Sequence, residues 1–201
     1  MPSDLDSVLP RCALLVQSVC SLPGAPVPHW CELAANALQQ LSSTGLVAVS
    51  LATRQANSPS TDVQCVGIKC DSNERIQVAT RRLQRPVTHN QPTKPGIQPL
   101  SQHPLLRELA TADFAQAALW TSSRALRGSG DLWLNLYVIL PRHTDTSHDA
   151  ALCDTIFSVL ASRAEQALPS ASGVIRWLTK REAEVLDQLV LAIPSEKSPT
   201  S

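Results

Sequence analysis

Leu132-Trp133-Leu134-Asn135-Leu136-Tyr137-Val138-Ile139-Leu140 decides the fold. Side chains alternate across a strand, so Leu132, Leu134, Leu136, Val138 and Leu140 share one face, and Trp133, Tyr137 and Ile139 share the other. A strand that is apolar on both faces is at least partly covered on both. The turn Arg127-Gly128-Ser129-Gly130-Asp131 precedes it, and a further strand near 115–121 stands before that turn. A polar loop follows, and then the longest helical pattern of the chain, 148–168. Its stripe is Leu152, Ile156, Val159, Leu160, Ala164, Ala167 and Leu168, with Ser147 placed to cap it.

Working back toward the start, the spacing predicts a helix over 8–20, carrying Cys12, Leu15, Val16 and Val19. A second is predicted over 29–41, carrying Trp30, Leu33, Ala34, Ala37, Leu38 and Leu41. Strands are predicted at 46–52 and 63–70, joined by a hairpin loop around Asn57-Ser58-Pro59-Ser60. A helix fits 73–84, with Ile76, Ala79 and Leu83 on one side. Five prolines between Arg85 and Pro104 argue for a long loop without a regular element, followed by a short helix with Leu105, Leu106 and Leu109. The order is helix, helix, strand, strand, helix, short helix, strand, strand, long helix. It predicts an α+β domain, an antiparallel sheet flanked by helices.

Composition narrows the function. Of 201 residues, 17 are Lys or Arg and 17 are Asp or Glu, so the formal net charge is zero. A general polyanion binder carries a basic excess, and this chain does not. The neutral total hides a local imbalance: Arg75, Arg81, Arg82, Arg85, Lys94 and Arg107 lie in a window with no acid. A solvated surface with scattered arginines is the favoured reading, an anion-facing surface the other. No apolar run spans a membrane, and the start lacks a basic, apolar leader, so a cytoplasmic setting with reduced cysteines is expected. The six cysteines, Cys12, Cys20, Cys31, Cys65, Cys70 and Cys153, show no C-x-x-C pair, and buried, inert thiols are the favoured reading over a ligand or redox role. Cys65 and Cys70, five apart, are expected on opposite faces of one strand.

Near the C-terminal end stands Leu178-Thr179-Lys180-Arg181-Glu182-Ala183-Glu184-Val185-Leu186. Thr179 and Glu182 make a capping box, each side chain satisfying the other's orphan backbone donor, and Val185, Leu186 and Leu189 form an apolar stripe. The pattern of Leu178, Thr179, Arg181, Glu182, Glu184, Val185 and Leu186 resembles the opening of the LuxR-type helix-turn-helix DNA-binding domain. The resemblance covers about 13 to 20 residues. Pro194 stands where that family turns into its second helix, and no scaffold or recognition helix follows. The upstream order of elements is similar to regulators that place a GAF-like domain before such a unit, with PAS-like as the close rival.

The resemblance implies a sensor and dimerisation domain over 1–168, a linker over 169–177, and the truncated start of a DNA-binding domain over 178–201. It further implies a homodimer, a small-molecule ligand or protein partner, and DNA binding only in an intact full-length form.

No motif for phosphate cradling, dinucleotide binding or a serine nucleophile is present. His143 and His148 with Asp145 and Asp149 share an acidic loop, read as surface rather than a metal site. Trp30, Trp120, Trp133 and Trp177 are read first as core anchors. No catalytic residue, metal or cofactor is expected, and the ligand-binding residues stay open. Three classes remain: the sensor portion of a LuxR-type regulator, a stand-alone ligand-binding or protein-interaction module without a DNA role, and a thiol enzyme using Cys65 or Cys70.

Overall fold

The computed structural model describes residues 5–25, 27, 29–41, 45–54, 60–85, 87, 88, 96–111, 114, 116–127, 131–140 and 146–168. The strands are β1 (Val47–Arg54), β2 (Ser60–Lys69), β3 (Val87–Thr88), β4 (Gly96–Pro99), β5 (Ala118–Ala125) and β6 (Leu132–Leu140). They form one antiparallel sheet in the order β3-β2-β1-β6-β5-β4. The helices are α1 (Leu5–Cys20), α2 (Trp30–Ala37), α3 (Asn73–Leu83) and α4 (Thr146–Ala167). The chain is therefore α+β, with helices on both faces of an antiparallel sheet.

The two-faced alternation of β6 sets the layers. Leu134, Leu136, Val138 and Leu140 enter one core with Val47, Val49 and Leu51 of β1 and Trp120 of β5, under α1, α2 and α4. Tyr137 and Ile139 enter a second core with Leu46, Ala48 and Leu119, under α3 and the 3-10 turns of the segment 100–109. Each large apolar side chain so buried contributes about 1.5–3 kcal/mol relative to exposure, so neither face tolerates a one-residue slip of β6.

Long-range arginine contacts lock the helices together. Arg11 of α1 donates from Nε and Nη2 to the Gln40 carbonyl at 3.0 and 2.8 Å and from Nη2 to the Leu41 carbonyl at 2.9 Å. Its other terminal nitrogen pairs with Asp149 of α4 at 3.4 Å. Arg163 of α4 donates from Nε to the Leu22 carbonyl at 2.9 Å, closing the turn after α1 onto α4. α3 is capped by Ser72, whose hydroxyl accepts from the Arg75 N–H at 3.4 Å. Glu74 at its start and Arg81 and Arg82 at its end complement the helix dipole.

Several expectations shift in detail. α1 begins at Leu5, three residues before the expected start at 8, which places Pro10 in its second turn. The helix expected over 29–41 splits into α2 and a 3-10 turn, Gln39–Leu41. The proline-rich stretch 85–104 does hold strands. β4 lies at the edge of the sheet and pairs only with β5, and Pro99 ends it, which is where a residue without an N–H is tolerated. The short helix after Pro104 is a 3-10 turn, Arg107–Leu109. Ser147 lies within α4 rather than ahead of it. Residues 169–201 lie outside the described residues, and with them the linker and the LuxR-like segment.

Candidate ligand-binding face of the sheet

On the α3 side, the sheet carries a polar row that runs from buried Ser50 through half-buried Asn135 to exposed Ser123. Registration places Ser50 of β1 opposite Asn135 of β6, and Asn135 opposite Ser123 of β5. Ser123 Oγ donates to Asn135 Oδ1 at 2.6 Å, and Asn135 Nδ2 donates to Ser50 Oγ at 3.2 Å. Tyr137, one step along the same face of β6, is hydrogen-bonded with the Ser50 side chain. Burial pushes its phenol up to about 12, against the opposing pull of Ser50, so the ring stays neutral. Thr121, in register with Tyr137, is buried too.

His103 completes this layer. It is 0% exposed, and its ring meets Tyr137 edge to face with centroids 5.9 Å apart. Its Nδ1 accepts the Leu106 N–H at 3.2 Å, which leaves the proton of the neutral ring on Nε2. Burial lowers its pKa from 6.5 to about 4, so the ring is uncharged at neutral pH. The Nε2 group finds no acceptor among the described residues, and neither does the buried Nε2 of Gln98 on β4. A buried donor without an acceptor costs about 1–3 kcal/mol, and such groups commonly mark where a ligand or ordered water belongs.

The arginine-rich window is partly consumed by this layer's own architecture. Arg75 stacks over the Phe114 ring at 4.2 Å. Arg82 donates from Nε to Glu108 at 2.7 Å and pairs with the same carboxylate through a terminal nitrogen. Glu108 is the first acid after the window, and folding brings it back onto α3. Arg81, Arg85 and Arg107 are exposed, and Lys94 lies outside the described residues.

The residues singled out from sequence fall as follows. Leu178, Thr179, Arg181, Glu182, Glu184, Val185 and Leu186 lie outside the described residues, as do His89, His143, Asp145 and Trp177. His148 is exposed at the start of α4, and Asp149 pairs with Arg11. Among the described residues no group of His, Cys, Asp and Glu is arranged to hold a metal. Trp30 and Trp120 are core anchors, at 0% and 1% exposure, whereas Trp133, expected to be one, is half-buried and belongs to neither core. Cys153 is buried, and desolvation pushes its thiol up to about 12. Cys65 and Cys70 do face opposite cores. Sequence reasoning missed His103, Gln98 and the Ser50–Asn135–Ser123 row. The available signals were Asn135, the one polar residue inside an apolar strand, and a histidine beside a leucine-rich segment.

A cleft of about 480 Å³ opens elsewhere, where α1, α2 and the turn after it meet the start of β1 and the end of β2. Ser18, Asn36, Gln39, Gln40, Lys69 and Asp71 give it a polar lining, and none of the window arginines reaches it. No described helix is long and apolar enough to cross a membrane.

No family model and no curated protein matches the chain. Among solved structures, the chain is similar to CepR2, an N-acylhomoserine lactone dependent LuxR family transcription factor from Burkholderia cenocepacia. The likeness has a TM-score of 0.43 and 13% identity, covering 79% of this chain and 93% of that one.

Proposed function

We propose that the chain is the sensing portion of a LuxR-type transcriptional regulator, a cytoplasmic binding protein and not an enzyme. The observation that carries the sensing role is the pair of buried donors, His103 Nε2 and Gln98 Nε2, on the α3 face of the sheet. Two neutral donors in an apolar layer select a neutral, acceptor-bearing molecule such as a carbonyl compound. A neutral acceptor also escapes the dehydration cost that a buried anion would carry. The regulatory role rests on the resemblance of Leu178–Leu186 to a LuxR-type opening, and DNA contact belongs to an intact form with a complete helix-turn-helix unit.

Histidine-selective ¹⁵N NMR of the 201-residue chain tests the sensing role against a panel of neutral carbonyl compounds. A binder should shift the His103 Nε2 resonance and raise the unfolding temperature, and His103→Phe should abolish both effects. Binders that act equally on wild type and His103→Phe, with the His103 signal unmoved, would place the ligand elsewhere.

A second reading, a protein-interaction module or homodimer without a DNA role, is favoured by α1, where Leu9 is 65% and Leu14 52% exposed. Light scattering of wild type and Leu9→Glu separates the two. Loss of a dimer in the variant, with the His103 resonance unresponsive to the whole panel, supports interaction over sensing.

A further inference from the structure

A second constellation occupies the opposite face of the sheet, between α2 and β2. Gly67 lies so close under the first turn of α2 that a Cβ there would stand 2.0 Å from the Cys31 carbonyl oxygen and 2.3 Å from the Glu32 nitrogen. Only glycine permits this approach. Cys65 lies two residues earlier on the same face of β2, so the approach sets it against Cys31. The first-turn N–H groups of a helix have no intrahelical acceptor, and here the Cys31 N–H donates to the Cys65 sulfur. The Cys31 thiol donates to that same sulfur. Leu51 faces Cys65 and Ala52 faces Val63, which leaves Gln64 as a bulge residue immediately beside Cys65.

These contacts divide the labour between the two sulfurs. The Cys31 thiol hydrogen bond, against the opposing effects of burial and of the Glu32 carboxylate on α2, holds Cys65 below the ordinary thiol range. Burial pushes Cys31 well above it. Cys65 is half-buried, and Cys31 behind it is 0% exposed. The accessible sulfur thus sits over an inner thiol in hydrogen-bond contact with it, the arrangement of a nucleophile and its resolving partner. All six cysteines, each among the described residues, are in the thiol form.

We propose that Cys65 and Cys31 are a reversible, hydroperoxide-oxidised dithiol, with Cys65 attacking and Cys31 resolving. The Cys65 thiolate attacks the terminal oxygen of hydrogen peroxide. The O–O bond breaks, and the hydroxide that leaves takes up a proton as water, giving a sulfenic acid on Cys65. The Cys31 thiol then attacks the Cys65 sulfur and gives up its proton. The S–O bond breaks, a second water leaves, and the S–S bond forms. Two thiols and one peroxide become one disulfide and two waters, and a dithiol reductant reverses the change by exchange. The product ties α2 covalently to β2. This inference is independent of the ligand reading on the other face.

The test uses the whole chain. Wild type is treated with hydrogen peroxide, quenched with an alkylating agent and mapped by mass spectrometry, with Cys20 and Cys70 as internal comparisons on the same molecules. The expected result is a Cys31–Cys65 cross-link that forms ahead of any modification at Cys20 or Cys70 and disappears with dithiothreitol. Without peroxide, the rate of Cys65 alkylation should rise through a lower pH midpoint in the folded chain than in the urea-unfolded one. In Cys31→Ala, Cys65 should instead accumulate as a sulfenic acid trapped by dimedone, while Cys65→Ser should leave Cys31 unoxidised. Oxidation that falls first on Cys20 or Cys70, a cross-link between other cysteines, or a Cys65 midpoint no lower in the folded than in the unfolded chain would overturn the proposal. The wild-type measurements decide it even if a substitution at buried Cys31 unfolds the chain.

Discussion

Gly67→Ala is the most stringent test of the packing between α2 and the sheet. The added Cβ would lie 2.0 Å from the Cys31 oxygen, 2.1 Å from its carbonyl carbon and 2.3 Å from the Glu32 nitrogen, all backbone atoms. Real Cβ contacts do not fall below 3.0 Å, so α2 must retreat by about 1 Å at the least. That retreat lifts Trp30, Cys31, Ala34 and Ala35, all buried, off their seats. A gap of about 0.5–1 Å forfeits roughly a quarter to a half of each dispersion contact. Overpacking itself costs about 1–3 kcal/mol. Together these give a loss of about 3–5 kcal/mol, and the gain of about 0.4–1 kcal/mol from a stiffer unfolded chain does not offset it. For a chain of this size the melting temperature should fall by roughly 10 °C, at about 2–4 °C per kcal/mol. Urea unfolding followed by tryptophan fluorescence, with calorimetry alongside, measures both quantities. Gly24→Ala is the comparison, because its Cβ would meet only the Arg163 guanidinium at 3.3 Å, and it should cost less than about 1 kcal/mol. A Gly67→Ala chain within about 0.5 kcal/mol of wild type would refute the close approach of α2 to β2.

Three further outcomes are expected. His103 has a folded-state pKa of about 4 against an ordinary 6.5. Between these values the unfolded chain binds the proton and the folded chain does not, so its contribution is whole above pH 6.5 and declines as pH falls toward 4. The full loss is on the order of 3 kcal/mol at about 1.4 kcal/mol per unit. Urea titrations at pH 7.5 and 4.5 should therefore show a smaller drop in His103→Gln than in wild type, and equal drops would contradict the burial argument. Arg11→Ala removes three hydrogen bonds to two carbonyls and an ion pair linking α1, the turn after α2 and α4, and should cost about 2–3 kcal/mol by the same titration at neutral pH. Glu108→Gln breaks a half-exposed pair with Arg82 and should cost less than about 1 kcal/mol in dilute buffer and close to nothing in 1 M salt.

The alternation in 132–140 made the sheet and its two covered faces legible, because burial on both sides leaves a period-two trace in one strand. The stripe of 152–168 did the same for the long helix. The edge strand β4 was not legible, since a strand paired on one side can include Pro99 and keep no alternating pattern. The ligand-binding face was illegible for a different reason. Gln98, His103, Ser50 and Asn135 are scattered over 86 positions, and no local spacing signals that four segments share one layer. Cys65 could be named from the sequence as a thiol of interest, but Cys31, its partner, lies 34 positions away.

Short-range information, periodicity and capping, determined by itself that this chain makes an antiparallel sheet between helices, and it supplied the LuxR-like wording at 178–186. Those properties depend on side chains a few positions apart, which every residue carries into any fold. Tertiary structure alone decided which polar groups lost water without finding a partner, and which two sulfurs came into contact. Both depend on desolvation and on distance between elements remote in sequence. The single atom missing from Gly67 is what brings Cys31 onto Cys65.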